Sequence, residues 1–385
     1  MAAGNNDRKN PGGILFGQSQ YTMREKKKLK IRLCDFFLSL FFRQAKSTPE
    51  KKNALASMTF DNILVYSTTA LGDYMFNSPA LRAIRLRYPQ ARITLVAHPK
   101  YQNLLTQRDF YDDVLFWTNK VSDMPALVKQ AKRYKPQLAI LLHSHLPYDI
   151  TSAAMAGCQY IVRDNYAKPV GKMARWLTYG LDDYDEHVIA RKMKLVAALG
   201  CATDNVDMAL PCRYEVQPKQ EGTVRVGFQL GASTLIRCWP PEYYAALAQR
   251  LLAANERIEI VLIGSPQETP LAEALMKHID AALADKIVSF VGKTTLPQLL
   301  GVIASMDLLV TGDTGPFHLA ISLHVPTLSL FVTEDPRRSG PYQDRELHQN
   351  IYLPLSDPRV TDKEAPLRAI AVDDVYLRVM AMLAA

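Results

Sequence analysis

The sequence predicts an α/β protein made of two doubly wound halves, each a parallel sheet covered by helices. Three observations carry this reading. From about residue 57 onward, short β-branched runs alternate with amphipathic stretches of helical period. That alternation lapses over Asp204–Gly222, a Pro-, Gln- and charge-containing stretch, and then resumes. The 385 residues are long enough for two domains of ordinary size.

In the first half, strands are expected at Ile63–Ser67, Ile93–Ala97, Val114–Trp117, Leu138–Leu142 and Tyr160–Val162. Helices are expected at Pro79–Arg87, Met124–Tyr134, Thr151–Ala156 and His187–Leu199. In the second half the strands are Val224–Gln229, Ile258–Ile263, Ile287–Phe290, Leu308–Val310 and Thr327–Phe331. The helices there are Pro241–Ala254, Thr269–Ala281, Leu296–Ala304 and Pro316–Leu323. A last helix, Val372–Leu383, closes the chain and is a candidate to pack back on the first half. The expected division is a tail and basic segment at 1–56, a domain at 57–212, a linker at 213–222 and a domain at 223–385.

Charge is distributed unevenly. Residues 1–52 hold 12 of the 46 Lys/Arg and 4 of the 38 Asp/Glu, so the body holds 34 of each and the net +8 belongs to the tail. The body therefore gives no electrostatic reason to bind nucleic acid. Within the tail, residues 24–46 read as a basic run leading into Phe36, Phe37, Leu38, Leu40, Phe41 and Phe42. The apolar part is far shorter than the ~20 residues that span a bilayer. Basic residues beside Phe and Leu suit the anionic inner surface of a membrane, and the competing arrangement is a helix packed on the protein's own body. The five cysteines are scattered without CxxC spacing, and no secretory signal is read, which together suggest reduced thiols in a cytoplasmic protein.

In doubly wound sheets, ligands bind beyond the carboxyl ends of the strands. Four distinctive turns fall there: Thr68–Tyr74, Gly231–Trp239, Gly264–Glu268 and Gly312–His318. The last is the most informative. An apolar strand breaks at Gly312-Asp313-Thr314-Gly315, and Pro316 then opens a helix. A helix start offers unpaired N–H groups and the positive end of the dipole, and small residues let an anion approach them. The turn thus reads either as a phosphate seat or as an ordinary Asp/Thr cap. The first strand leads into STTALGD rather than GxGxxG, which argues against a dinucleotide-dependent oxidoreductase.

Together, LGDYMFNSPALRAIR (71–85), GASTLIRCWPPEYY (231–244), IGSPQET (263–269) and GDTGPFHLAISLHVPTLSLF (312–331) resemble glycosyltransferase family 9, the bacterial heptosyltransferases of lipopolysaccharide core assembly. The resemblance covers roughly Ile63–Asp344. It implies the GT-B architecture, two Rossmann-like domains facing a central cleft. It also implies inverting, metal-independent transfer of heptose from ADP-heptose, without a cofactor, to a lipid A-linked inner-core acceptor at the cytoplasmic face of the inner membrane. The residue roles follow from the same resemblance. Asp73 is the candidate base that takes the acceptor proton. Arg237, where the family usually has Lys, neutralises the leaving diphosphate. Ser233, Thr234, Thr314 and Gly315 meet the phosphates, and Glu268 meets the ribose. Asp313 accepts from sugar hydroxyls, and His318 reaches a phosphate or the sugar.

On the acceptor side stand His143 and His145, two residues apart at the end of the fourth strand and so on one face of it. With no third ligand apparent they are not read as a metal site. Arg163, Lys168, Lys172 and Arg175 are candidates to meet anionic groups of the acceptor, or form a solvated basic face. Two alternatives stay open: the same fold with another nucleotide-sugar donor or glycan acceptor, and a two-lobed sugar-binding protein without catalysis.

Overall fold

The computed structural model describes residues 25–42, 49–166, 170–182, 185–232 and 234–384. Two six-stranded parallel sheets form the body. The first contains β1 (Asn62–Ser67), β2 (Arg92–Ala97), β3 (Asp113–Phe116), β4 (Leu138–His143), β5 (Tyr160–Asp164) and β6 (Tyr179–Leu181) in the order β3-β2-β1-β4-β5-β6. The second contains β7 (Val224–Gln229), β8 (Ile258–Ile263), β9 (Ile287–Ser289), β10 (Leu308–Gly312), β11 (Thr327–Phe331) and β12 (His348–Tyr352) in the order β9-β8-β7-β10-β11-β12. Both sheets have the 3-2-1-4-5-6 order of dinucleotide-binding folds, whose switch point lies between the first and fourth strands. That puts one crevice between β1 and β4 and the other between β7 and β10.

The central strands are buried on both faces, as Val/Ile/Leu runs under helices should be. The largest apolar cluster spans the two halves, taking in Ile84 and Leu195 from the first and Phe317 and Ile321 from the second. Gly227 lets Met306 cross the second sheet closely, since a Cβ there would lie 2.2 Å from the Met306 sulfur.

Several elements differ from expectation. The helix expected at Pro79–Arg87 begins eight residues earlier, at Leu71, with Pro79 inside it. A proline in a helix leaves the carbonyl four residues before it without its N–H. Here the Ser78 hydroxyl donates to the Met75 carbonyl at 2.7 Å and supplies the missing bond. The edge strands β6 and β12 were not expected. The last helix, Val372–Ala384, does not pack back on the first half. Val375 and Val379 are buried in the second-half core beside Leu247 and Leu251 of the helix Pro241–Ala254, and the Trp239 indole N–H donates to the Ile370 carbonyl at 3.1 Å just before the last helix begins.

The basic segment forms a helix, Glu25–Phe41, whose two faces have different fates. Ile31, Asp35 and Leu38 are buried against the first domain. Arg175 Nε donates to Asp35 Oδ1 at 2.6 Å and the Trp176 indole N–H to the same oxygen at 3.0 Å. Leu29, Leu33, Phe36, Phe37, Leu40 and Phe41 form an exposed apolar stripe at helical spacing. Among the described residues no helix is long and apolar enough to cross a membrane. All five cysteines are unpaired thiols.

Candidate active site

The turn after β1 enters the helix Leu71–Arg87 directly, which makes Asp73 the third residue of the helix. Asp73 Oδ2 accepts the Ala70 N–H at 2.9 Å, the half of a capping box that an alanine at the cap allows, and this stabilises the helix start. Its other oxygen, Oδ1, stands 3.1 Å from Nδ1 of His143. That meeting follows from topology: β1 and β4 are neighbours, and Ser67 pairs with His143 in the ladder. Burial raises the Asp73 carboxyl, but His143, the Ala70 N–H and the buried Lys192 more than offset it, and the group is held below the usual carboxylate range.

A buried ionic network lies behind His143. The Tyr166 ring packs on the imidazole with centroids 4.7 Å apart, and its hydroxyl donates to the Leu142 carbonyl at 2.8 Å. Tyr166 has a positive φ of 54°, a costly conformation for a bulky residue that its neighbours hold in place. Lys192, wholly buried, donates to Asp164 Oδ2 at 2.8 Å and to the Leu142 carbonyl, while Arg191 bonds the other Asp164 oxygen. Burial pulls the Lys192 ammonium down to about 8, with Asp164 opposing. Sequence reasoning missed Tyr166, Lys192 and Asp164, because a lysine in an amphipathic helix reads as surface.

The acceptor-side candidates separate. His143 lies at the site. His145 is exposed on the following loop. Arg163 is corrected: it is buried, its Nε donates to Asp149 at 2.9 Å, and it serves an internal ion pair. Arg175 is likewise engaged, holding Asp35 of the N-terminal helix. Lys172 is exposed. Lys168 lies outside the described residues, as does Ser233.

In the second half, a cavity of about 350 Å³ opens at the β7/β10 switch point, lined by Gln229, Gly231, Ser265, Glu268, Thr295 and Gly315 among others. Glu268 Oε2 accepts the Ser265 N–H at 2.7 Å, and burial raises its carboxyl. Two glycines make room for it. A Cβ on Gly264 would lie 2.2 Å from its Oε2, and one on Gly231 would lie equally within its van der Waals envelope. Thr314 sits at the N-cap of the helix Gly315–Ser322, and Thr314, Gly315 and Pro316 line the cavity, so the start of that helix, with its unpaired N–H groups, forms part of the wall. Gln229 and Thr295 were not anticipated; Gln229 ends β7, where its side chain reads as core.

Arg237 and Asp313 meet beside this cavity. Arg237 Nη2 donates to Asp313 Oδ2 at 2.5 Å and also to the Asp313 carbonyl. His318 Nε2 stands 3.5 Å from the other carboxylate oxygen. The Asp313 carboxylate is thus bracketed by a guanidinium and an imidazole. Thr234 is exposed at the start of the short turn Leu235–Arg237. His318, although nearly buried, bridges the lobes. Its ring lies 4.4 Å from that of Phe76, and a Cβ on Gly72 would lie 3.0 Å from its Cδ2. Leu71 likewise reaches Gly315. The turn carrying Asp73 therefore rests on the first turns of the helix that walls the cavity. Among the described residues no group of three or more His, Cys, Asp or Glu is arranged to hold a metal ion.

The chain is 29% identical over 136 residues to lipooligosaccharide heptosyltransferase 2 of Haemophilus influenzae, a stretch covering 35% of this chain and 39% of that one. It is 22% identical over 310 residues to the lipopolysaccharide core heptosyltransferase OpsX of the same organism, covering 76% of this chain and 84% of the relative. Among solved structures, Escherichia coli ADP-heptose lps heptosyltransferase II superposes with a TM-score of 0.67 at 20% identity, over 84% of this chain and 98% of that one, a likeness of fold. The model of glycosyltransferase family 9 (heptosyltransferase) matches residues 164–363, just over half of the chain, and the protein belongs to that family.

Proposed function

We propose that the protein transfers heptose, with inversion and without a metal, from ADP-heptose to an inner-core acceptor sugar of lipid A-linked lipopolysaccharide or lipooligosaccharide. The observation that carries this reading is the cavity of Glu268 and Gly315, whose Gly315 wall is met by Leu71, two residues before the Asp73 that faces His143. The nucleoside diphosphate sits in the cavity. Glu268 accepts from the ribose hydroxyls, and the N–H groups at the start of Gly315–Ser322 meet the diphosphate. As the glycosidic bond lengthens, negative charge grows on the diphosphate, and the helix dipole and Arg237 stabilise it. Arg237 remains paired with Asp313 until an anion competes for it. Asp73 serves removal of the acceptor proton on the opposite side of the sugar, as inversion requires.

The relatives' names support the reaction class, and the exposed stripe of Leu29, Leu33, Phe36, Phe37, Leu40 and Phe41 beside Lys26, Lys28, Lys30 and Arg32 supports a peripheral seat on an anionic inner-membrane surface. The test is ADP release by the purified full-length protein with ADP-heptose and lipid A-core acceptors truncated at successive sugars, with and without chelator. Release dependent on one acceptor and indifferent to chelator is expected. Release only with a uridine-linked sugar, or tight sugar binding with no turnover on any acceptor, would overturn the proposal.

A further inference from the structure

We infer that the proton of the acceptor hydroxyl goes to Nε2 of His143, with Asp73 orienting the imidazole rather than taking the proton itself. The inference rests on the glycosyl-transfer reading above and assigns the base within it.

The two Asp73 oxygens have different neighbours. Oδ2 accepts the Ala70 N–H at 2.9 Å and Oδ1 lies 3.1 Å from His143 Nδ1. Nδ1 is buried and has no aligned hydrogen-bond partner, so its nearby polar group is that carboxylate. Contacts of this kind commonly align only when substrate is in place. Two neutral tautomers are available. With the proton on Nε2, the Nδ1 lone pair would face an anionic oxygen at 3.1 Å, which is repulsive. With the proton on Nδ1, the ring donates to the carboxylate. Asp73 therefore selects the tautomer whose free lone pair is on Nε2, the same logic by which a buried aspartate orients a catalytic histidine.

The imidazole is about one-fifth exposed although Nδ1 is not, so the accessible edge of the ring is the other one. Tyr166 fixes one face, and Lys192, Asp164 and His145 complete the charged and titratable surroundings. Burial depresses the imidazole to about 3, with Asp73 opposing and Lys192 reinforcing, so the ring is unprotonated at physiological pH and ready to accept. A weak base suffices where the acceptor O–H becomes acidic only as it bonds an oxocarbenium-like carbon.

The step balances. The acceptor O–H bond breaks and its proton forms an N–H bond at Nε2. The oxygen forms a bond to the anomeric carbon. The bond from that carbon to the phosphate oxygen breaks, and its electron pair leaves on the nucleoside diphosphate. The imidazolium, paired with Asp73, then returns its proton to water.

The test uses the full-length protein with ADP-heptose and the lipid A-core acceptor, measuring kcat and the donor KM. His143→Ala and His143→Gln should each lower kcat by about 10²–10⁴-fold, leaving the donor KM within about threefold. Added imidazole should restore part of the His143→Ala rate and none of the His143→Gln rate. Asp73→Asn should also be slow, and the double variant Asp73→Asn/His143→Ala no slower than the slower single one. ADP binding by each variant confirms a folded donor lobe. If His143→Ala and His143→Gln both keep kcat within about fivefold while Asp73→Asn is inactive, Asp73 takes the proton directly and the inference falls while the glycosyl-transfer reading stands. If the wild-type protein releases no ADP from ADP-heptose on any acceptor, that reading falls and the inference with it.

Discussion

Gly231 and Glu268 are in such close contact that a Cβ on the glycine would lie 2.3 Å from the glutamate's carboxyl carbon. The glycine is thus the condition for the carboxylate's position in the donor cavity. Gly231→Ala should push Glu268 away from the Ser265 N–H it accepts at 2.7 Å, raising the donor KM by about tenfold or more with a smaller effect on kcat. Steady-state kinetics at saturating acceptor measure this, and an unchanged KM would show that Glu268 does not bind the donor.

Arg237 is held by Asp313 through a side-chain bond at 2.5 Å and a second bond to the Asp313 carbonyl. Removing the guanidinium both loses a cation near the diphosphate and leaves a mostly buried carboxylate half-paired. Arg237→Ala should cost about 1.5–3 kcal/mol, or about 10–150-fold in kcat/KM. Arg237→Lys should recover much of it, because Lys keeps the charge while losing the fork. If Lys is as poor as Ala, the fork geometry matters more than charge.

The N-terminal helix is mounted through Asp35, which accepts from both Arg175 and Trp176. Asp35→Ala should loosen residues 25–41, seen as faster amide exchange there, at a cost of about 1–3 kcal/mol to the mounting and little change in the body. Phe36→Ser/Phe41→Ser changes only exposed positions. It should weaken sedimentation with anionic vesicles while leaving turnover on a soluble acceptor unchanged. Undiminished vesicle binding would remove the helix as the membrane contact.

Acid should destabilise the fold over a defined window. Burial pushes His187 and His348 down to about 4, so between pH 4 and the ordinary value near 6.5 the unfolded chain binds more protons than the folded one. Stability therefore rises with pH across that window and is lost as pH falls through it, at up to about 1.4 kcal/mol per pH unit for each group. His187 spans the lobes, its Nε2 donating to the Gly340 carbonyl at 2.9 Å and its ring stacked on Tyr342. His187→Gln should flatten the slope of urea midpoint against pH by about one proton.

Much of the fold was legible because the interior strands are unbroken aliphatic runs. Elements escaped where chemistry masks pattern. β12 reads His-Gln-Asn-Ile-Tyr, an edge strand polar enough to pass for loop, and β6 has three residues. The helix Leu71–Arg87 looked shorter because Gly72 and Pro79 both signal breaks, and only the Ser78 hydroxyl shows why the helix continues. In the site, the four turns could be found from their small residues. Their joining could not, since the pairing of His143 with Asp73 depends on β4 lying beside β1. Arg163 misled because its partner, Asp149, is brought to it by the helix Tyr148–Ala156 folding over the sheet.

His318 seated over Gly72 has a kinetic consequence. The start of its helix walls the donor cavity, and the turn it touches carries Asp73. In an interior packed to crystal density, a shift at one end of such a contact cannot be absorbed locally. Occupation of the nucleotide side is thereby coupled to alignment of the acceptor side, which favours compulsory order: donor first, acceptor second.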